Sequence, residues 1–338
     1  MPRIGLITSG GDCPGLNAAI RAVTRQLINK YDAEVIGIRN GFSGLVEGSF
    51  EPVSLYSVSG ILPRGGTILG TSRIDPLADP RAIDDIKSHL DRYEIDAMVV
   101  IGDRDAIDVS HKLTKHGLNI VCIPATIDND IAETGMCFGF STAVKIATEA
   151  IDRLHSTADS HHRVMVVEVM GRETGWIATY AGLAGGADII LIPEIDTSID
   201  EICSLITKRH ARRSFSIVVV AEGANPVGVE RLKARDEEIS HQHGVGECVA
   251  REIEKRTEVE TRIAVLGHIQ RGGTPTSADR ILATRLGVKA ADFVVSGEYN
   301  VLVGLRDARV RSMSLDTVAG RVKKVDPDMY EIASVFFG

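Results

Sequence analysis

The sequence predicts an α/β fold with mainly parallel strands and helices on both faces of the sheet. Short apolar, β-branched runs alternate with segments of helical apolar spacing, and glycine-bearing loops follow directly on several of those runs. With 338 residues, 44% of them hydrophobic, the chain can bury a sizeable core and favours two medium domains.

The first strand, residues 3–8, runs into Ser9-Gly10-Gly11-Asp12-Cys13-Pro14-Gly15, and residues 16–27 then show helical spacing. Adjacent glycines let the backbone approach an anion, and a helix N-terminus favours negative charge. The loop is neither GxGxxG nor a Walker A sequence, which carries a lysine. A tight turn without a ligand therefore stands as an equal reading. Arg21 and Arg25 lie one helical turn apart on a face read as solvated. Residues 34–38 form the second strand, and the turn Arg64-Gly65-Gly66-Thr67-Ile68-Leu69-Gly70-Thr71-Ser72-Arg73 ends in a cation able to meet a phosphoryl group. Residues 79–93 are helical, residues 97–101 form an apolar strand, and Gly102-Asp103-Arg104-Asp105-Ala106 opens a helix to about His116.

Ile120-Val121-Cys122-Ile123 is a further buried strand, expected to end at Pro124, so that Thr126-Ile127-Asp128-Asn129-Asp130 projects past the sheet. Open α/β sheets bind ligands at that carboxyl edge. On an extended segment Asp128 and Asp130 face one side, where one takes a proton while the other helps hold a cation. The competing reading is an Asx-type turn whose aspartates only bond nearby backbone N–H groups. The loops after Thr8, Ile101 and Ile123 are expected to converge on one edge.

In the second half, residues 138–155 read as a long helix, and Ser160-His161-His162-Arg163 leads into the strand 164–169. Neighbouring strand residues point to opposite faces, which argues against a metal on His161 and His162. The strand ends at Met170-Gly171-Arg172, suited to a phosphorylated or polyhydroxyl ligand. Residues 176–183 form a small-residue helix, 189–192 a strand, and 199–210 a helix whose basic end, extended by Arg212 and Arg213, complements its dipole. Residues 216–223 give the clearest strand of this half, with Glu222 at its end. From Ala224 to about Val245 the chain is polar, an exposed excursion carrying Arg235-Asp236-Glu237-Glu238 and a solvated His241-Gln242-His243. Residues 261–273 supply a strand ending in His268, Gln270 and Arg271, after which a helix over about 278–295 and a short β-like tail close the chain.

The 38 basic and 46 acidic residues leave a net charge of −8, without the basic stripe that nucleic acid requires. Five scattered cysteines, with no CxxC pair or metal-ligand spacing, read as reduced thiols. A strand this close to Met1 leaves no room for a signal peptide, and no apolar run reaches membrane-spanning length. A cytoplasmic protein with neither nucleic-acid nor membrane partners is expected.

The blocks TSGGDCPGLNAAIR, RGGTILGTSR, TIDND, EAIDRL, SHHRVMVVEVMGR, AGLAGGAD, AEGA and TRIAVLGHIQRGGTP resemble, in order and spacing, the bacterial 6-phosphofructokinases over essentially the full chain. The resemblance implies two Rossmann-like three-layer lobes, discontinuous in sequence: 1–138 with about 270–316 for the phosphoryl donor, and 139–269 with about 317–338 for fructose 6-phosphate. It implies transfer from ATP or pyrophosphate to the sugar 1-hydroxyl, giving fructose 1,6-bisphosphate, with Mg²⁺ as cofactor. Asp128 becomes the base, with Thr126 beside it, and Arg73 neutralises the phosphoryl group in flight. Gly11, Ile74, Asp103, Arg104, Asp105 and Ala106 fall in the donor site. Thr126, Ile127, Met170, Gly171, Arg172, Glu222, His268, Ile269, Gln270 and Arg271 fall in the sugar-phosphate site. Arg163 and Arg262 are similar to two arginines that reach across from a neighbouring subunit, which implies a homodimer or homotetramer with shared active sites. In-line phosphoryl transfer needs positioned cations and little else.

The departures are informative. Counted without a gap from Asp128, Arg104 falls where the family has its magnesium-binding aspartate. A guanidinium cannot coordinate a metal; Asp103, or Asp105 in a re-registered loop, is then expected to stand in for that ligand, beside Asp130, which the resemblance implies lies near the metal. Asp105 resembles the pyrophosphate-dependent members, which carry a lysine where this chain has Ala125; ATP-dependent members have glycine at both positions, and Arg73 is similar to theirs. Arg21, Arg25 and Gly186 match the effector site of regulated members, but His155 replaces an arginine there, and nucleotide activation is not expected. Arg104 also motivates an alternative: a sugar-phosphate-binding, catalytically impaired paralogue or partner subunit. A diverged NAD or lipid kinase is a third reading, but it has no need of the HIQRGG and MGR blocks.

Overall fold

The computed structural model describes residues 1–229 and 244–338. The charged cluster at 235–238 and the histidines at 241 and 243 therefore lie outside the described residues. In chain order the elements are β1 (Arg3–Ser9), α1 (Leu16–Tyr31), β2 (Glu34–Ile38), α2 (Gly41–Glu47), β3 (Phe50–Pro52), α3 (Ala82–Arg92), β4 (Ala97–Gly102), α4 (Arg104–Lys115), β5 (Ile120–Thr126) and β6 (Phe138–Gly139). They continue with α5 (Phe140–His161), β7 (Val164–Val169), α6 (Trp176–Ala184), β8 (Ile189–Leu191), α7 (Ile199–His210), β9 (Ser216–Ala221), α8 (Val245–Thr257) and β10 (Thr261–Val265). A 3-10 turn at Gly267–Arg271 precedes α9 (Ser277–Ser296), β11 (Val301–Arg306), β12 (Arg309–Ser314), α10 (Leu315–Val318) and α11 (Pro327–Ser334).

The chain divides into two units, Met1–Thr142 with Arg271–Lys323, and Ala143–Gln270 with Lys324–Gly338. These bounds differ from the expected ones for physical reasons. Thr142 donates its backbone N–H and its hydroxyl to the buried Asp279, which keeps it in the first unit. Val318 packs in the first unit's core, and Lys323 bonds Asn129 and the backbone around it.

In the first unit the strand order is β12-β11-β5-β4-β1-β2-β3, with β6 pairing on β5. The five strands from β11 to β2 run parallel, and β12 and β3 close the edges antiparallel. One face is covered by apolar side chains of α2, α3, α4 and α10, among them Phe42, Leu45, Ile86, Leu113 and Val318, over Ile7, Val100 and Cys122 of the strands. On α9, Gly287 lets the backbone of α1 approach: a Cβ there would meet the carbonyl oxygen of Ala19 at 2.9 Å. Strands covered on both faces read as continuous apolar runs, which is why β1, β4 and β5 stood out in the sequence.

The second unit has an all-parallel sheet of order β10-β7-β9-β8. Val164, Val166, Val218 and Val220 pack against Ile202 and Ile206 of α7 and Val249 and Ile253 of α8.

Pro124 does not end β5. It lies opposite Gly102, the last residue of β4, and beyond it β5 pairs with β6 through Ala125 and Thr126. A proline is tolerated where a strand changes neighbours. The helix expected at 138–155 starts later and runs to His161, and His162 is left-handed at φ 55°, so the opposite-face argument about that histidine pair does not apply. Helix α8 went unread although Val245, Cys248, Val249 and Ile253 carry helical spacing, because the polar run before it masked its start. All five cysteines are free and buried. Among the described residues no helix is long and apolar enough to cross a membrane.

Candidate functional site

The adjacent parallel strands β5, β4 and β1 bring their carboxyl ends to one edge of the first unit, as the loop pattern required. The glycine loop after β1 is held there by its own backbone. Gly10 takes φ 87° and donates to Ser72 O at 2.9 Å, while Thr71 Oγ1 donates to Gly10 O at 2.7 Å. Gly11 N–H donates to Asp103 Oδ2 at 2.6 Å, and Asp103 Oδ1 accepts the Ala106 N–H at 3.2 Å as the N-cap of α4. Asp103 thus ties two strand ends together. Burial raises its pKa from the ordinary 3.8, and the bonds from Gly11 and Ala106 act against that.

Two cations flank the same small volume beside Gly11. A Cβ on Gly11 would fall 1.9 Å from Arg271 Nη2 and 3.0 Å from Arg73 Nη2. Glycine is required for that approach, and two guanidinium groups facing one space favour an anion between them. Arg271 Nε also donates to Asp12 O at 3.2 Å, which anchors it on the loop. Next to this lies a cleft of about 320 Å³, lined by Ser9, Gly10, Phe42, Ser72, Arg73, Ile74, Asp105, Ala106, Asp108 and Val109. Its rim carries the Lys112–Asp75 ion pair at 3.2 Å. Arg73, Ile74, Asp105 and Ala106 are brought together here, while Gly11 and Asp103 meet on the adjoining loop.

Asp128 follows β5 in a turn. Thr126 Oγ1 accepts the Asp128 N–H at 3.0 Å, and Asn129 takes φ 50°. The segment is not extended, so the alternation that placed Asp128 and Asp130 on one side is corrected. Lys323, which sequence reasoning missed, holds the turn: its Nζ donates to Asn129 Oδ1 at 3.0 Å, Thr134 O at 2.8 Å and Gly135 O at 3.1 Å. Burial lowers its pKa from 10.5. Asn129 Oδ1 also accepts Cys137 N–H at 2.9 Å, and Lys323 N–H donates to Asp130 O at 2.8 Å. Asn17 was missed as well. It is buried, donates to Arg64 O and Gly65 O, and accepts Ile68 N–H, shaping the turn that carries Arg73. A buried asparagine at the start of a helix after a glycine loop was the available signal.

The expected metal ligands do not form a site. Asp103 is engaged by backbone N–H groups, and Asp130 Oδ2 pairs with Arg104 Nη1 at 3.7 Å. Among the described residues no three His, Cys, Asp or Glu side chains are grouped to hold a metal ion. The residues present therefore do not fit a protein-held Mg²⁺.

In the second unit β10, β7 and β9 are neighbours, and their carboxyl ends carry residues 267–270, Met170-Gly171-Arg172 and Glu222. Gly171 takes φ 141°, and a Cβ there would meet Thr174 O at 2.5 Å, so the turn demands glycine. Gln270, fully buried, accepts Met170 N–H at 3.4 Å and donates to Gly267 O at 3.0 Å, which fixes the turn while His268 and Ile269 stay exposed. Arg172 Nε bonds Glu222 Oε1 at 3.3 Å. Arg163 and Arg262 are not at this edge. They sit at the amino ends of β7 and β10, one strand length of about 20 Å away, where both pair with Glu260.

A parallel sheet whose carboxyl edge gathers cations around a bare glycine backbone defines a phosphate-handling α/β protein. Comparison with known proteins narrows this: the chain belongs to the phosphofructokinase family, whose profile, described as Phosphofructokinase, matches residues 3–294. It is 48% identical over 341 residues to the pyrophosphate–fructose 6-phosphate 1-phosphotransferase of Streptomyces coelicolor, covering 99% of this chain and 100% of that one. It is 45% identical over 344 residues to the ATP-dependent 6-phosphofructokinase of Corynebacterium efficiens, covering 99% of each. The crystal structure of Pichia pastoris phosphofructokinase in the T-state superposes with a TM-score of 0.82 at 31% identity, over 99% of this chain and 36% of that longer one. The family expected from the sequence motifs and the two-lobed α/β fold are therefore shown. Membership suggests a divalent metal requirement in general, which makes the poor fit at Asp103 and Asp130 notable.

Proposed function

We propose that this protein transfers a phosphoryl group from ATP or pyrophosphate to the 1-hydroxyl of fructose 6-phosphate, giving fructose 1,6-bisphosphate. The observation that carries the reading is the approach of the Arg73 and Arg271 guanidinium groups to Gly11. Positioned cations of this kind stabilise charge on a phosphoryl group in transfer. The oxygen–phosphorus bond to the donor's leaving phosphate breaks as the sugar oxygen bonds to phosphorus, and the hydroxyl proton passes to Asp128. Thr126 holds the Asp128 backbone, and Lys323 fixes the rest of the turn. Met170, Gly171, Arg172, Glu222, His268, Ile269 and Gln270 supply the sugar-phosphate side, supported by their assembly on three neighbouring strand ends. The Mg²⁺ expected from resemblance has no ligand set among the described residues, and no step is routed through it.

The relatives use both donors, and the cleft supports both. Its apolar wall of Phe42, Ala106 and Val109 suits a nucleoside, whereas Asp105, on the same lining, resembles the aspartate that crowds a nucleotide in pyrophosphate-dependent members. Arg163 and Arg262 serve a neighbouring subunit in this reading, so the protein acts as a homodimer or homotetramer in the cytoplasm. The test is product formation by the purified chain with fructose 6-phosphate and each donor in turn. Turnover with one donor assigns it. Binding of fructose 6-phosphate without turnover by either donor contradicts the reading and supports the impaired-paralogue alternative that Arg104 motivates.

A further inference from the structure

Arg104 and Asp130 carry a step that rests on the phosphotransfer reading and goes beyond it. Arg104 opens α4, directly after the aspartate that ties Gly11, and its Nη1 lies 3.7 Å from Asp130 Oδ2. Both side chains are mostly buried, 20% and 13% exposed, so the pair is poorly screened by solvent. A carboxylate in the place of Arg104 would give this spot two negative charges and an attraction for a dication. The arginine instead neutralises Asp130, repels a second cation and offers only donors. A guanidinium's planar fork also matches phosphate oxygens.

We propose that the Arg104 guanidinium is this chain's built-in replacement for the divalent cation, so that the donor's phosphates bind without a protein-held metal ion. Arg104 is then a specificity-determining residue for the ionic form of the donor: the metal-free polyphosphate is the ligand, and a dication adds nothing to its binding.

Calorimetry on the full chain tests this with inorganic pyrophosphate and a non-hydrolysable ATP analogue, each in EDTA and in excess Mg²⁺, and with Mg²⁺ alone. The unaltered chain is expected to bind at least one probe in EDTA, with no gain from Mg²⁺ and no heat from Mg²⁺ alone. Arg104→Asp is expected to lose about tenfold or more in EDTA, ~1.4 kcal/mol, to recover in Mg²⁺, and to bind Mg²⁺ alone. Arg104→Gln, which keeps the volume without the charge, is expected to lose affinity in EDTA without acquiring Mg²⁺ binding, and circular dichroism checks that both variants fold. Binding of neither probe in EDTA, or Mg²⁺ binding by the unaltered chain as tight as by Arg104→Asp, overturns the proposal. Turnover of fructose 6-phosphate that needs Mg²⁺ for donor binding sinks this inference alone, whereas absence of turnover with intact metal-free binding sinks only the reading beneath it.

Discussion

The two units present comparable strand edges in opposite conditions. In the first, the charged groups are committed: Asp103 to two backbone N–H groups, Arg104 to Asp130, Lys323 to three oxygens, Arg271 to the loop backbone. In the second, the side chains offered to a ligand are largely open, with His268 and Ile269 exposed and Arg172 79% exposed despite its contact with Glu222. An exposed ion pair of that kind contributes little, so a phosphate can draw Arg172 away from Glu222 at small cost. On the proposed phosphotransfer reading, the contrast separates two tasks. Groups that meet charge developing during reaction work best when held in place beforehand, while groups that capture an anionic sugar can order on binding.

The largest effect within this contrast is expected at Lys323. Lys323→Met leaves Asn129 Oδ1 and the carbonyls of Thr134 and Gly135 without their shared donor, and urea titration should show a loss of about 1–3 kcal/mol. An unchanged midpoint would mean that the Asp128 turn holds itself. Arg172→Ala should act on the open side, raising KM for fructose 6-phosphate about tenfold with kcat little changed. A fall in kcat at constant KM would instead place Arg172 among the prearranged groups. The smallest effect concerns pH. Because burial raises the Asp103 pKa above 3.8, the folded state binds that proton more tightly than the unfolded chain. The resulting stability is present below 3.8 and is lost as pH rises through the raised value. Relative to Asp103→Asn, the unaltered chain should therefore lose stability across that acid window, read from urea midpoints at successive pH values.

The strands and the loops that follow them were legible because fully covered parallel strands leave long apolar runs, and because glycine is needed where Gly11 and Gly171 meet other groups. Met170-Gly171-Arg172 and Glu222 could be placed at strand ends for the same reason. What escaped depends on distant partners. Lys323 lies far along the chain from Asn129, and Asn17 acts on a turn some fifty residues on, so neither has a local pattern. The Asp128–Asp130 alternation failed because Asn129 adopts a left-handed conformation that the strand period does not anticipate. The pairing of Arg104 with Asp130 was invisible for a related reason: the sequence showed a cation where an anion was expected, but not which carboxylate it would meet.

The central claim is that the Asp128 carboxylate takes the proton from the sugar hydroxyl. Its most direct test is turnover of fructose 6-phosphate by Asp128→Asn beside the unaltered chain, using whichever donor the unaltered chain accepts, with fructose 6-phosphate binding measured in parallel. The account predicts a fall in kcat of about 10²–10⁴-fold with sugar-phosphate binding retained. Equal kcat in the two proteins would contradict it.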